Sequence, residues 1–290
     1  MGSKCSTSKR EAPSKTEAPS KRQSSIPVRV AGIEVNHRLI RDHFNTFTEL
    51  QAALRETGFE TCQLIVGVDF TKSNTWQGGP PYFRYDNLHT LSDILNPYQQ
   101  VLSIMCPSLA PFDEDNLIDA YGFGDATTSN KSVFPFVQVS ENGYMVEKPC
   151  VMLEGVLQRY TEIAPHVQMS GPTSFAPIIY KAIELVKLRQ EYHILLIIAD
   201  GAVENMRETI DAIVEASKYS LSIVCIGVGK GPWRKMKDLD DKIPERDFDN
   251  FQFVDFYEIM KQCENQEVEF AKHALMEIPM QYAYIKENIL

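Results

Sequence analysis

The sequence predicts an α/β fold: a doubly wound, mostly parallel sheet with helices on both faces. Short continuous apolar runs recur at Leu64–Val68, His193–Ala199 and Leu221–Val228. Such runs fill strands that are buried on both sides. Between them, residues such as Phe175, Ile178, Ile179, Ala182, Ile183 and Val186 repeat at helical spacing on one face. The two patterns alternate along the chain, as parallel strands joined by crossover helices require.

Each element follows from local chemistry. Residues 1–26 are rich in Ser, Lys, Pro and Thr, with almost no large apolar side chains. A disordered arm is expected there, because too little surface can be buried to offset chain entropy. Residues 27–45 form a connector with a few apolar positions, and 46–290 are assigned to the folded domain. Thr48–Gly58 reads as a helix ended by its glycine. Leu64–Phe70 reads as a buried strand. Pro97–Met105 reads as a helix with proline in its first turn. Leu117–Gly124 is a strand, and Val133–Val139 an edge strand because Pro135 cannot donate to a ladder. A helix is expected over Cys150–Ile163 and another through Phe175–Val186. His193–Ala199 is a central strand. Met206, Ile210, Ile213 and Val214 mark a further helical face. Leu221–Val228 and Phe251–Phe256 read as strands, and Glu258–Met276 as a last helix.

The chain of 290 residues is 43% hydrophobic and 23% charged, an ordinary globular composition. Its net charge of −10 is uneven. The first 26 residues carry six basic side chains (Lys4, Lys9, Arg10, Lys15, Lys21, Arg22) against Glu11 and Glu17. The body is therefore more acidic than the whole. That argues against a nucleic-acid partner and suits the arm to an anionic surface. No apolar run is long enough to span a membrane, and the first residues lack a signal-peptide core. The six cysteines are scattered without CxxC pairs, and the later five fit reduced, mostly buried thiols in a cytosolic protein.

In open α/β sheets, ligands bind outside the carboxyl ends of the strands. Asp69-Phe-Thr71-Lys-Ser73 follows one apolar run, and Asp200-Gly201 follows another. Gly171-Pro-Thr173-Ser-Phe175 opens a helix between them. In a locally extended loop, alternate residues face one way, so Asp69, Thr71 and Ser73 share a side. Two carboxylates (Asp69, Asp200) with the hydroxyls of Thr71, Ser73 and Thr173 suit a hard divalent cation, Mg2+ or Mn2+. An open position on such a cation would accept an acidic group from a protein partner. Taken singly, each motif has a plainer meaning: Thr173 as a helix N-cap, Asp200-Gly201 as a turn.

Asp69-x-Thr71-x-Ser73 with the later Thr173 and Asp200-Gly201 resembles the metal-ion-dependent adhesion site of von Willebrand factor A domains. That family places serine where Thr71 stands. Val68–Asn74, Leu95–Tyr98, Tyr121–Gly124, Ser170–Pro177 and Ala199–Gly201 are closer still to the copine domain, from about Thr48 onward. The resemblance implies a von Willebrand A-type fold and a binding module rather than an enzyme. Copines place C2 domains before this domain, and plant relatives place a RING finger after it. Neither pattern is found here, so a non-catalytic, recruiting part in ubiquitination is the second expectation. A structural domain with a vestigial metal site is the third.

Other signals point away from catalysis. Gly122-Phe-Gly124 lacks the third glycine of a dinucleotide fingerprint and reads as strand-end geometry. The six histidines show no catalytic or metal spacing, and no nucleophile elbow is present. Met1-Gly2-Ser3-Lys4-Cys5-Ser6 fits the N-myristoylation pattern at Gly2, with Cys5 available for palmitate. One acyl chain alone anchors weakly. Gly2, Cys5 and the basic arm together predict association with the cytosolic face of a membrane.

Overall fold

In chain order the structure comprises α1 (Phe47–Glu56), β1 (Gln63–Asp69), α2 (Pro97–Leu109), β2 (Leu117–Phe123), β3 (Phe134–Pro135), β4 (Val137–Glu141), β5 (Tyr144–Lys148), β6 (Cys150–Val151), α3 (Met152–Ile163), α4 (Ala176–Arg189), β7 (His193–Ala199), α5 (Met206–Ala216), β8 (Leu221–Gly227), α6 (Arg234–Asp241), β9 (Phe251–Asp255), α7 (Phe256–Met260), α8 (Gln266–Leu275) and α9 (Ile278–Asn288). The computed structural model describes residues 44–80, 83–201, 203–243, 246–261 and 265–290. The arm at 1–26, with Gly2 and Cys5, and the connector up to residue 43 lie outside the described residues.

The main sheet runs β3-β2-β1-β7-β8-β9, with β6 also paired to β2. β2, β1, β7, β8 and β9 are parallel, and β3 and β6 join β2 antiparallel. The chain therefore leaves β1 toward β2 on one side and returns to β7 on the other. This reversal makes the carboxyl ends of β1 and β7 a topological switch point. Strand alternation then divides the core. Leu64, Val66 and Val68 of β1 pack with α1, α2, α3 and α7 to α9, whereas Ile65 faces α4, α5 and α6. The expected α/β architecture, doubly wound with helices on both faces, is the one observed.

Three local expectations change. The stretch Val133–Val139 is two elements, not one. Phe136 is buried and its N–H donates to the Ala120 carbonyl at 2.8 Å. Beyond it, β4 and β5 form a separate hairpin. Its turn, Asn142-Gly143, has φ of 52° and 82°, as a type I′ turn demands. Cys150–Val151 is a short strand that precedes α3 rather than its first turn. The expected last helix is replaced by α7, α8 and a further helix, α9. Asp255 accepts the N–H groups of Tyr257 and Glu258 at 3.1 and 3.2 Å, so α7 starts two residues earlier. Pro279 lies in the first turn of α9, where its missing N–H costs nothing, and a new helix begins there.

Candidate metal centre

Asp69 ends β1, and a 3-10 turn over Lys72–Thr75 follows it. Asp200 follows β7 directly. Thr173 comes from the loop before α4, in which the Gly171–Pro172 peptide is cis. These distant segments meet in one string of hydrogen bonds. The Thr71 N–H donates to Asp69 Oδ1 at 2.8 Å. The Thr71 and Ser73 hydroxyls lie 3.0 Å apart. Ser73 Oγ donates to Asp200 Oδ1 at 2.9 Å, and Thr173 Oγ1 donates to Thr71 Oγ1 at 3.3 Å. All five residues singled out in the sequence are thus brought together.

The plainer meanings of the single motifs do not describe what is seen. The N-cap of α4 is Phe175, without a side-chain cap bond, and Thr173 instead reaches Thr71. Asp200 is fully buried rather than at a surface turn. Gly124 directly follows β2 with φ of 80°, and a Cβ there would stand 2.4 Å from Thr71 Cγ2. This glycine lets the β2 loop close against the site, which is the strand-end role read from Gly122-Phe-Gly124. Asp125 beside it is engaged locally: its carboxylate accepts from the N–H groups of Thr127 and Thr128 at 3.1 and 3.0 Å.

The electrostatics are unusual for a buried pair. Asp69 Oδ2 and Asp200 Oδ2 are both inaccessible to solvent and lack a hydrogen-bond partner. Burial pushes both carboxyls above the usual range, and the charge of Asp69 adds to the rise at Asp200. Among the described residues neither enters an ion pair. Such an arrangement leaves negative charge without compensation in a low dielectric. An oxygen-only donor set of two carboxylates and three hydroxyls fits a hard divalent cation, whose charge would supply that compensation. Among the described residues no group of three or more His, Cys, Asp or Glu side chains gathers at one point. Only two of the five residues here are carboxylates; the other three bring hydroxyls.

Sequence reasoning missed the layer beneath. His89 is buried, with Nε2 2.9 Å from the Asp69 carbonyl and Nδ1 2.7 Å from the Tyr160 hydroxyl. Burial lowers its pKa to about 3, so the ring is neutral. Asn74 Nδ2 donates to the carbonyls of Asp69 and Thr71 at 3.2 and 3.1 Å. Asn96 and Tyr98, both inside the copine-like stretch Leu95–Tyr98, also join this layer. His89 carried no spacing signal, because its partners lie 20 and 71 residues away in sequence. The thiols of Cys62, Cys106, Cys150 and Cys225 are free and buried. Burial drives Cys106 to about 12 and Cys150 to about 11, far from a reactive thiolate.

A doubly wound parallel sheet with helices on both faces thus carries an oxygen-lined loop cluster at its switch point. A family model described as Copine matches residues 87–290. The E3 ubiquitin-protein ligase RGLG3 of Arabidopsis thaliana is 47% identical over 259 residues, covering 84% of this chain and 68% of its own length. RGLG1 of the same plant is 48% identical, covering 87% of this chain and 53% of its own length. Copine family protein 1 of Caenorhabditis elegans is 46% identical over 82% of this chain and 21% of its own length. The chain belongs to the copine family, and it spans about half to two thirds of the plant ligases it resembles. Among solved structures, the manganese-loaded TRAP protein of Plasmodium vivax aligns with a TM-score of 0.43 at 12% identity, over 69% of this chain and 70% of that one. That likeness is too remote to bear on the site.

Proposed function

We propose that this chain is a divalent-cation-dependent protein-binding module. The observation that carries the reading is the buried pair Asp69 and Asp200, each with an unpartnered oxygen and, among the described residues, no ion pair to a basic side chain. Asp69, Thr71, Ser73, Thr173 and Asp200 would hold Mg2+ or Mn2+, as a metal-ion-dependent adhesion site does. When bound, the cation offers an electrophilic position to an acidic group of a protein partner. The residues of this chain shape the loop, exclude water from the carboxylates and set their direction. Isothermal titration with Mg2+ and Mn2+ tests this. The intact chain should bind one cation, and Asp69→Ala should abolish binding while the fold persists. Equal binding by both would refute the site, and no binding by either would leave a structural domain with a vestigial centre.

The similarity to plant E3 ubiquitin-protein ligases supports a ubiquitination setting, with this domain as a recruiting rather than catalytic part. An acidic peptide or protein bound only in the presence of the cation is the expected behaviour of such a recruiter. A membrane tether is proposed on Gly2, Cys5 and the basic arm. Among the described residues no helix is long and apolar enough to cross a membrane. Gly2→Ala should shift the protein from the membrane to the soluble fraction, and equal partitioning would rule the tether out.

A further inference from the structure

We infer that His89 is a positioning residue of the cation site: a tautomer-locked imidazole that holds the Asp69 carbonyl, and so the Asp69 carboxylate, through a relay anchored on the cap of α2. The inference rests on the proposed cation binding and names the part of the chain that orients it.

The polarity of the relay follows link by link. Asn96 caps α2, and its Oδ1 accepts the Gln99 N–H at 3.0 Å. Gln99 Oε1 accepts the Asn96 N–H in return at 3.0 Å, so the cap is closed and the amide cannot flip without losing it. The Asn96 nitrogen is therefore the end that faces Tyr160, and it donates to the hydroxyl at 3.0 Å. With that lone pair occupied, the single Tyr160 proton goes to His89 Nδ1 at 2.7 Å. A neutral imidazole whose Nδ1 accepts carries its proton on Nε2. That proton is donated to the Asp69 carbonyl at 2.9 Å. A second donor, Asn74 Nδ2, reaches the same carbonyl at 3.2 Å, and Asn74 Oδ1 takes the Tyr98 hydroxyl at 2.6 Å.

Packing holds the ring in this plane. Phe70 stacks on His89 at 4.6 Å and 15°, and Tyr98 stacks on it at 4.1 Å and 16°. Asp69 is thus held at both ends: its carbonyl by His89 and Asn74, its Oδ1 by the Thr71 N–H. Only Oδ2 is left without a partner. A turn of the peptide after Asp69 would swing Thr71 and Ser73 with it, because the three follow one another in the loop. Orienting partners of this kind set the affinity of a metal site by about 10- to 100-fold.

A purely structural histidine would satisfy buried groups and leave cation affinity alone once the fold is intact. Titration of the full chain with Mn2+ separates the two, with thermal melting of the metal-free proteins alongside. Tyr160→Phe removes the group that orients the ring and should weaken Mn2+ binding by about 10- to 100-fold. His89→Gln, which supplies a donor and an acceptor, should retain more affinity than His89→Met, which supplies neither. Nitrogen-15 spectra of the wild-type imidazole should place the His89 proton on Nε2, and diamagnetic Mg2+ should shift that resonance. If wild type binds Mn2+ and Tyr160→Phe and His89→Met bind it equally well, the relay is refuted while the cation site stands. A proton found on Nδ1 refutes it without any variant having to fold. If wild type binds neither cation, the site and the relay fall together.

Discussion

At the amino end of the sheet, Asp119 of β2 lies against Arg189 at the end of α4. At the carboxyl end, Asp69 and Asp200 have no basic partner in any ion pair among the described residues. All three carboxylates are buried. The first costs little, because a guanidinium offsets the charge where it sits. The second buries two carboxyls without a cation; burial raises both pKa values, and the charge of Asp69 adds to the rise at Asp200. A fold that can place Arg189 beside Asp119 could have placed a cationic side chain beside Asp69. The difference teaches that one buried carboxylate is neutralised by the scaffold, whereas the other two are not neutralised by any ion pair among the described residues.

The comparison can be broken most severely at its paired end. Arg189→Met should strand Asp119 and lower stability by ~3 kcal/mol, the low end for a broken buried pair because Arg189 is 27% exposed. Urea denaturation measures this, and Mg2+ should not restore the loss. At the unpaired end the sign reverses. Asp200→Asn removes a carboxyl whose ionisation burial disfavours and should raise metal-free stability at neutral pH by about 1–2 kcal/mol, since each unit of pKa displacement is worth about 1.4 kcal/mol. The same variant should lose the rise in melting temperature that Mn2+ gives the wild type. A metal-free Asp200→Asn less stable than wild type would show that the carboxylate is structural after all.

The pH dependence sharpens the contrast further. Both Asp69 and Asp200 have folded pKa values above their unfolded value. The folded state therefore holds protons that the unfolded state releases. Their contribution is fully present below the unfolded carboxyl pKa of about 4 and is lost as pH rises through the folded values. Metal-free stability should fall across that window, and excess Mg2+ should flatten the fall. Glu277, pushed to about 8 by burial, adds a slope of the same sign that a cation at Asp69 cannot remove. Glu277→Gln isolates the two contributions in a pH series of melts. The smallest effect belongs to the surface. Lys286 and Glu60 pair at 2.7 Å with both side chains more than half exposed, and Lys286→Ala should leave the denaturation midpoint unchanged.

Particular elements show how far sequence reading reaches. β1, β7 and β8 were legible because burial on both faces leaves a continuous apolar run that little else produces. The five oxygen-bearing residues were legible because parallel sheets expose their strand ends on one edge, so Asp69 and Asp200 had to emerge together. The β4–β5 hairpin merged with β3 because both strands are short and Pro135 obscured the break, although Asn142-Gly143 marks the turn. The C-terminal helices merged because apolar spacing continues across α7 and α8, and only Pro279 signals that another helix starts.

The sequence by itself determined the central parallel strands, their alternation with helices and the oxygen-bearing side chains at the strand ends, since these depend on local periodicity and on which residue types end each strand. It determined nothing about charge balance. Whether Asp69 and Asp200 would find an arginine, as Asp119 does, is a question of three-dimensional neighbours distant in sequence. Among the described residues, the tertiary structure pairs neither with a basic side chain. It also placed His89, whose neutral tautomer follows from a helix cap and a tyrosine that only packing brings within 3 Å of one another. Hydrogen-bond polarity and buried charge are long-range properties of a folded chain, and periodicity does not encode them.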